Sequence, residues 1–189
     1  MFIFLNEASS IKPNSRFYQL QAATGDESLS NRKMIIGIND ISIPTYVDRP
    51  QIVITETDSN ELKVSEFNRW AEPLNMSIAR VLADDMSLYL PNSLIKPKLY
   101  ASEDFNYAVT VEINKFDAVM NKKAMLDAWW TIYKNDKISA RGRTTAEVKI
   151  SNGFDGVAEG QSQLINKMAK EIAQKLIKEG IKNNAAKLG

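Results

Sequence analysis

Hydrophobic residues recur at every third or fourth position in two stretches of the chain, a period that predicts two long helices. The first stretch begins at Pro73, which suits the first position of a helix, and its apolar stripe is Leu74, Ile78, Leu82, Met86 and Leu90. The second begins after Asp155, a suitable N-cap, and ends at Gly180, a suitable stop. Its stripe is Val157, Gln161, Leu164, Ile165, Met168, Ile172 and Leu176.

Alternating apolar and polar residues predict β-strands in much of the remaining chain. Three long runs, residues 105–113, 124–133 and 138–150, are separated by short polar turns. Short turns favour antiparallel pairing between successive strands. Four shorter strands are predicted upstream, at residues 16–20, 34–43, 51–57 and 61–67, and the last two form a hairpin around Asp58-Ser-Asn.

These patterns predict an α+β fold, an antiparallel β-sheet with two long helices packed on one face. The chain has 189 residues, of which 44% are hydrophobic, and this suits one domain that needs no metal or disulfide for stability. We expect the domain to span residues 16–180. Residues 1–15 have linker composition and predict a flexible N-terminal tether, and residues 181–189 predict a frayed C-terminal tail.

The sequence contains no His and no Cys, which removes the usual general base, thiol nucleophiles, disulfides and the common zinc ligands. Neither Ser-x-x-Lys nor Gly-x-Ser-x-Gly occurs. The Gly-spaced residues 153–160 lack the spacing of a phosphate or dinucleotide loop. We therefore predict a protein that is not an enzyme, with no cofactor and no metal. An enzyme that uses only carboxylates, such as Asp84-Asp85 or Glu103-Asp104, is the remaining catalytic alternative.

Aromatic and basic residues occur together in the second half of the chain. Arg141-Gly-Arg follows Trp129, Trp130 and Tyr133, a combination found in nucleic-acid platforms, but a net charge of +1 argues against nucleic-acid binding. Trp129 and Trp130 are successive strand residues, so they face opposite sides and one of them belongs to the core. The face that carries Met125, Trp129 and Tyr133 fits an exposed patch for contact with protein or lipid.

Two segments in the first half combine Arg, Asp, Trp, Glu and Pro within a few positions. The first motif segment is Tyr46-Val-Asp-Arg-Pro-Gln-Ile-Val, and the second motif segment is Arg69-Trp-Ala-Glu-Pro-Leu. In a structural interpretation, Asp48, Arg49, Arg69 and Glu72 form ion pairs that fix the hairpin to the helix entrance, and Trp70 packs as a plug. In a binding interpretation, both segments present a polar and aromatic surface to a partner protein.

With Arg16-Phe-Tyr-Gln-Leu, Asn60-Glu-Leu and Glu66-Phe-Asn, the two motif segments resemble the ABC-type transport auxiliary lipoproteins, the PqiC-like family. The resemblance implies a non-enzymatic lipoprotein of the periplasm, attached to the outer membrane by an N-terminal lipid anchor that is missing from this chain. It also implies work in a mammalian-cell-entry (MCE) system that moves lipids between membranes. The positions that match the family pattern are Tyr46, Asp48, Arg49, Pro50, Gln51, Arg69, Trp70, Glu72 and Pro73.

The leading hypothesis from this resemblance is an auxiliary subunit that docks on the MCE-domain protein of its transport system and supports envelope integrity. The family further implies a ring-shaped homo-oligomer. The alternative is a periplasmic carrier that binds phospholipid or another hydrophobic ligand directly, with acyl chains held between the sheet and a helix.

Overall fold

The computed structural model describes residues 14–25, 27–56, 61–97, 105, 107–151 and 153–185, and within these ranges it contains eight strands and two helices. The strands are β1 (Arg16–Tyr18), β2 (Ile35–Ser42), β3 (Gln51–Thr55), β4 (Leu62–Trp70), β5 (Leu94–Pro97), β6 (Tyr107–Val119), β7 (Lys123–Lys134) and β8 (Lys137–Lys149). The helices are α1 (Leu74–Tyr89) and α2 (Gly153–Ala185). In this part of the chain no helix is both long and apolar enough to cross a membrane.

The eight strands form one mixed sheet whose longest pairings are antiparallel. β6, β7 and β8 form the predicted meander and pair along nearly their whole length. β3 and β4 form the predicted hairpin, although its predicted turn at Asp58-Ser-Asn lies outside the described residues. β6 also pairs in parallel with β2 and, at its far end, with β3, so the sheet divides there into a β2–β5 branch and a β3–β4–β1 branch. The predicted α+β fold is confirmed, with parallel pairs added between strands that are distant in sequence.

Both helices pack against the sheet and against each other, and every residue of the two predicted stripes is buried. Three predicted helix boundaries were wrong. Pro73 is the N-cap of α1, whose first residue is Leu74, and α2 begins at Gly153, so that Asp155 lies in its first turn. Gly180 lies inside α2, where the Arg32 guanidinium approaches so closely that an added Cβ would come within 2.9 Å of Nη1.

The space between the sheet and the helices is filled by side chains. Phe116 and Ile132 of the sheet, Leu82 and Met86 of α1 and Leu164 of α2 are each fully buried. Large hydrophobic side chains that stay exposed lie mainly on two pairs of neighbouring strands, β1 with β4 and β7 with β8: Phe17, Leu62, Val64, Phe67, Trp129 and Ile138. The sheet and both helices therefore share one filled core, and the remaining large apolar side chains of the sheet are exposed on these strands.

Candidate functional site

The first motif segment begins in a helical turn whose N–H groups at Val47 and Asp48 both donate to the carbonyl of Pro44, at 3.1 and 3.2 Å. The Tyr46 hydroxyl donates to Oδ1 of Asp117 on β6 at 2.5 Å. Burial and this neighbouring carboxylate raise the pKa of Tyr46 well above its ordinary value. Tyr46 therefore stays protonated and fastens the turn to the sheet.

The second motif segment connects three strands to α1 through Trp70. The Trp70 side chain is buried, and its backbone N–H donates to the carbonyl of Pro50 at 2.7 Å, which links the two motif segments directly. Trp70 also pairs in register with Tyr18 of β1, whose carbonyl accepts the N–H of Ala71 at 2.9 Å. Gln51 lies opposite Arg69 in the hairpin register. Trp70 is thus the plug that the structural interpretation expected.

The predicted ion-pair cluster was wrong. Glu72 pairs instead with Arg80 of α1, at 2.5 Å between Oε1 and Nη2. Arg69 donates through Nε to the carbonyl of Glu66 at 3.4 Å. In the described part of the chain neither Arg49 nor Arg69 forms an ion pair with Asp48 or Glu72. Asp48 and Arg49 are exposed because they lie on the solvent side of the turn. Two turns along the helix, Arg80 lies within reach of the Glu72 carboxylate at the helix entrance.

Pro50 and Pro73 occupy positions where their missing N–H group is not needed. Pro50 precedes β3 and is exposed, and its carbonyl is the acceptor for Trp70. Pro73 caps α1, and its carbonyl accepts the N–H groups of Met76 and Ser77 at 3.1 and 3.0 Å. Both prolines therefore shape the chain at an element boundary.

The second candidate surface is the outer face of the β6–β7–β8 meander, opposite the helices. Trp129 on this face is 47% exposed, whereas its neighbour Trp130 is 6% exposed and belongs to the core, as alternation requires. Met125 and Tyr133 lie on the same face as Trp129 and are partly exposed. Ile138 lies opposite Tyr133 in the β7–β8 register and is 53% exposed. We call the face with Met125, Trp129 and Tyr133 the outer patch.

An ordered arginine lies at the centre of the outer patch. Arg143 donates through Nε and Nη2 to the two carboxylate oxygens of Asp127, at 2.7 and 2.8 Å. Its guanidinium lies 5.3 Å from the centre of the Trp129 ring. These hydrogen bonds from Arg143, with a further one from Thr145 at 3.1 Å, lower the pKa of Asp127. The arrangement holds a cation and an aromatic face in one geometry at the surface.

Asp127 was not among the residues named from the sequence, and Arg143 was considered there only as part of a nucleic-acid platform. Asp127 lies two residues from both Met125 and Trp129 and shares their face, and Arg143 is the register partner of Trp129 on β8. The strand alternation therefore places Asp127 on the face of Met125 and Trp129. Placing Arg143 beside them also requires the register between β7 and β8, which the sequence pattern does not determine.

A groove of about 1120 Å³ lies between the extended segment at residues 17–24 and the first part of α2, which touch where the N–H of Gln21 donates to the Ser162 hydroxyl at 3.1 Å. Phe17 and Gln19 lie on one side of it, and Asp155 and Glu159 lie on the other. Among the described residues there is no group of three acidic side chains that could hold a metal ion.

Comparisons with known proteins agree on one family. The family model described as the ABC-type transport auxiliary lipoprotein component matches residues 18–173. The chain is similar to the intermembrane transport lipoprotein PqiC of Escherichia coli K12, with 21% identity over 176 residues that cover 92% of each chain. PqiC of Shigella flexneri matches to the same extent.

Two solved structures share the fold. A crystal structure of an uncharacterized protein superimposes with a TM-score of 0.72 at 18% identity, covering 86% of this chain and 99% of the other. A crystal structure of a protein from Xanthomonas campestris superimposes with a TM-score of 0.68 at 16% identity, covering 90% of this chain and 99% of the other.

Proposed function

Because the chain belongs to the family of ABC-type transport auxiliary lipoprotein components, we propose that it is a non-enzymatic auxiliary subunit of an intermembrane lipid transport system. In this proposal it works in the periplasm, held at the outer membrane by a lipid anchor, and docks on the MCE-domain protein of its system. A ring of several copies would surround that partner, and loss of the subunit would weaken the envelope. The name of the relative PqiC, an intermembrane transport lipoprotein, supports the transport role.

The observation that carries the docking proposal is the ordered Trp129–Arg143–Asp127 cluster on the outer patch. Tryptophan, tyrosine and arginine are the residue types that dominate binding energy in protein interfaces. Arg143 is already held by two hydrogen bonds and by the Trp129 ring, so docking orders few additional rotamers. Asp127 balances its charge, which offsets part of the desolvation cost of covering the patch.

The two motif segments act mainly as the scaffold in this proposal. Trp70, Pro73 and the Glu72–Arg80 pair hold the hairpin, β1 and α1 together. The exposed turn residues Asp48 and Arg49 remain candidates for partner contact. Matching the family pattern is consistent with a shared scaffold and does not require that all nine positions touch the partner.

The docking proposal is tested by co-purification with the MCE-domain protein of the same system. The double variant Trp129→Ser, Arg143→Ser should bind at least about tenfold more weakly, since it removes two residues of hot-spot type. A matched control is Phe67→Ser, which removes a comparably exposed aromatic side chain from β4. Normal binding by the double variant, with its circular dichroism spectrum unchanged, would remove the outer patch from the docking proposal.

The carrier alternative has less support. It places acyl chains between the sheet and a helix, and that space is occupied by fully buried side chains such as Phe116, Ile132 and Leu164. Native mass spectrometry of the protein purified from membrane-rich cells separates the two functions. Stoichiometric bound phospholipid would favour the carrier, and its absence would favour the adaptor.

A further inference from the structure

The backbone of the β1 segment has one side that β4 does not use. The carbonyl of Tyr18 points toward β4, where it accepts the N–H of Ala71 at 2.9 Å. Peptide groups of successive residues in an extended chain point to opposite sides. The N–H and carbonyl groups of Phe17 and Gln19 therefore point away from β4, toward the groove. Among the described residues, no side chain is hydrogen-bonded to the N–H of either residue.

Farther along the segment, helix α2 accepts a hydrogen bond from a backbone N–H on the same side of the chain as those of Phe17 and Gln19. The N–H of Gln21, two residues beyond Gln19, donates to the hydroxyl oxygen of Ser162 on α2 at 3.1 Å. At Phe17 and Gln19 the groove separates the segment from α2. The groove also extends past Gln21, and its part beside Phe17 and Gln19 is the part where the described residues of α2 supply no acceptor to the extended chain.

The dimensions of the groove match an extended peptide. Its α2 wall runs from Asp155 to Lys167. Only the part from Asp155 to Ser162 faces the unbonded side of the segment, because Ser162 already accepts the N–H of Gln21. Eight helical residues span roughly 12 Å, which is the length of about three to four residues in a strand. The Phe17 side chain is 65% exposed at the mouth of the groove and offers an apolar contact. An acyl chain fits less well, because it would cover backbone polar groups without hydrogen-bonding to them.

The charge along the groove selects one kind of side chain. Asp155 and Glu159 are both exposed and lie one turn apart on the α2 wall, whereas Lys167 lies two turns beyond Glu159 and donates to the carbonyl of Glu147 at 3.3 Å. The facing residues Gln19 and Gln21 are neutral. The end of the groove nearest Asp155 therefore favours a cation.

We propose that this groove binds an extended segment of a partner polypeptide, which adds as a strand to the edge of β1 that no described strand occupies and places a basic side chain near Asp155 and Glu159. Strand addition derives affinity from main-chain hydrogen bonds, and specificity from the side chains that meet the groove walls. The groove is a different surface from the outer patch, and strand addition there does not depend on whether the outer patch docks.

The absence of native Cys allows a direct test by disulfide tethering. Gln163→Cys places one thiol on the α2 wall, at an exposed position where it removes only a long surface hydrogen bond from Gln163 to Glu159, at 3.4 Å. Three probe peptides of alternating valine and threonine carry an N-terminal cysteine: one has a central lysine, one has a central glutamate, and one is the lysine peptide with N-methylated amides. The peptides are supplied as disulfides with 2-mercaptoethanol, and the protein thiol displaces 2-mercaptoethanol by thiol–disulfide exchange. The fraction of protein captured as a mixed disulfide at equilibrium with excess 2-mercaptoethanol is measured by intact-mass spectrometry. The control thiol is Asp84→Cys, on the exposed face of α1.

The lysine peptide should be captured about tenfold more than the glutamate peptide at the groove thiol, and N-methylation should abolish this preference. Little discrimination is expected at the control thiol. Equal capture of all three peptides, or the same preference at both thiols, would overturn the proposal. A lysine preference that survives N-methylation would overturn strand addition.

In the unsubstituted protein, the lysine peptide should shift the amide resonances of Phe17 and Gln19, and unchanged resonances would count against strand addition. Docking of the outer patch is measured separately by the Trp129 variant, so either idea can fail alone.

Discussion

The carboxylate Oδ1 of Asp85 accepts a hydrogen bond from the backbone N–H of Ala23 at 2.7 Å, where the extended N-terminal segment meets α1. Asp85 is fully buried. Asn166 of α2, which accepts the Tyr89 hydroxyl proton at 2.9 Å, also interacts with this carboxylate. Burial raises the pKa of Asp85 from 3.8 to about 6, more than the hydrogen bond from Ala23 and the nearby Asn166 amide lower it. One ionisable group therefore joins the segment beside the groove to both helices.

The first prediction concerns the pH dependence of stability at Asp85. A raised carboxyl pKa means that the folded state binds the proton more tightly than the unfolded state, so this contribution to stability is present at low pH and is lost between about pH 4 and 6. The pKa change from 3.8 to about 6 corresponds to roughly 3 kcal/mol. Relative to the parent, Asp85→Asn should gain up to about this amount in unfolding free energy between pH 4 and pH 7.

Urea unfolding at several pH values measures this difference. Asp84→Asn, which removes an exposed neighbouring carboxylate, is the control and should reproduce little of the pH-dependent difference. A constant offset between Asp85→Asn and the parent at every pH would show that Asp85 does not titrate in this range.

The second prediction contrasts two tryptophans that the sequence alone does not rank. Trp70→Ala should lower the unfolding free energy by about 3–5 kcal/mol, because Trp70 is buried where the two motif segments meet. Trp129→Ala should cost less than about 1 kcal/mol, because it removes an exposed ring and one cation–π contact. Chemical denaturation of both variants measures the contrast, and comparable losses would contradict the scaffold role given to Trp70.

Local patterns predicted the parts of the fold that depend on near neighbours in the chain. The stripes of α1 and α2, the β3–β4 hairpin and the β6–β7–β8 meander all follow from periodicity and short turns. The parallel pairs of β2 with β5 and β6 were missed, because a strand pattern does not say which distant strand lies beside it. β5 was missed as well, since four residues that include a proline carry too little alternation.

The candidate site was harder to predict for the same reason. Asp48 and Arg49 lie about 20 residues before Arg69 and Glu72, and charge alone suggested pairing among them. The observed partner of Glu72 is Arg80, which the helical repeat brings to the same side of the chain. The Arg143–Asp127 pair depends on the register between β7 and β8, and the groove depends on where the N-terminal segment crosses α2. Composition and local period determine neither relationship.

The third prediction tests the close packing of Gly142 against Trp130. These residues are register partners, and an added Cβ at Gly142 would come 2.1 Å from the Trp130 ring. Gly142→Ala should therefore destabilise the protein by about 1–3 kcal/mol through overpacking. The smaller ring of Trp130→Phe should relieve part of that cost, which a double-mutant cycle on thermal or urea unfolding measures. Additive effects of the two substitutions would contradict the proposed clash.

The fourth prediction concerns the ion pair beneath Trp129. Arg143→Ala should raise the pKa of Asp127 toward its ordinary value, because the hydrogen bonds from Arg143 are the main cause of its lowering. The parent should have a higher unfolding free energy than Arg143→Ala at neutral pH. This difference should disappear as the pH falls through the lowered pKa of Asp127. This difference should be small, since the pair is at the surface, where solvent and salt screen it.

A carboxyl-carbon NMR titration of Asp127 reads the pKa directly. Arg141→Ala removes the neighbouring arginine two residues away on β8 and should leave the Asp127 titration nearly unchanged. If Arg141→Ala raises the pKa of Asp127 as much as Arg143→Ala does, then the pKa depends on the total positive charge near the strand and not on the bidentate contact with Arg143.

The last prediction follows a chain of hydrogen bonds that joins the core to α2. The indole Nε1–H of Trp130 donates to Oγ1 of Thr144 at 3.1 Å, and the Thr144 hydroxyl donates to Oε2 of Glu171 at 2.6 Å. Thr144→Val keeps the shape of the side chain but leaves the buried indole N–H without an acceptor, which should cost about 1–3 kcal/mol. Thr145→Val, on the exposed face of the same strand, should cost less, because water can replace its bond to Asp127. Urea unfolding of the two variants gives the comparison. The cost of Thr144→Val should shrink in a Trp130→Phe background, where no indole donor remains; an undiminished cost would assign it to the lost Glu171 contact instead.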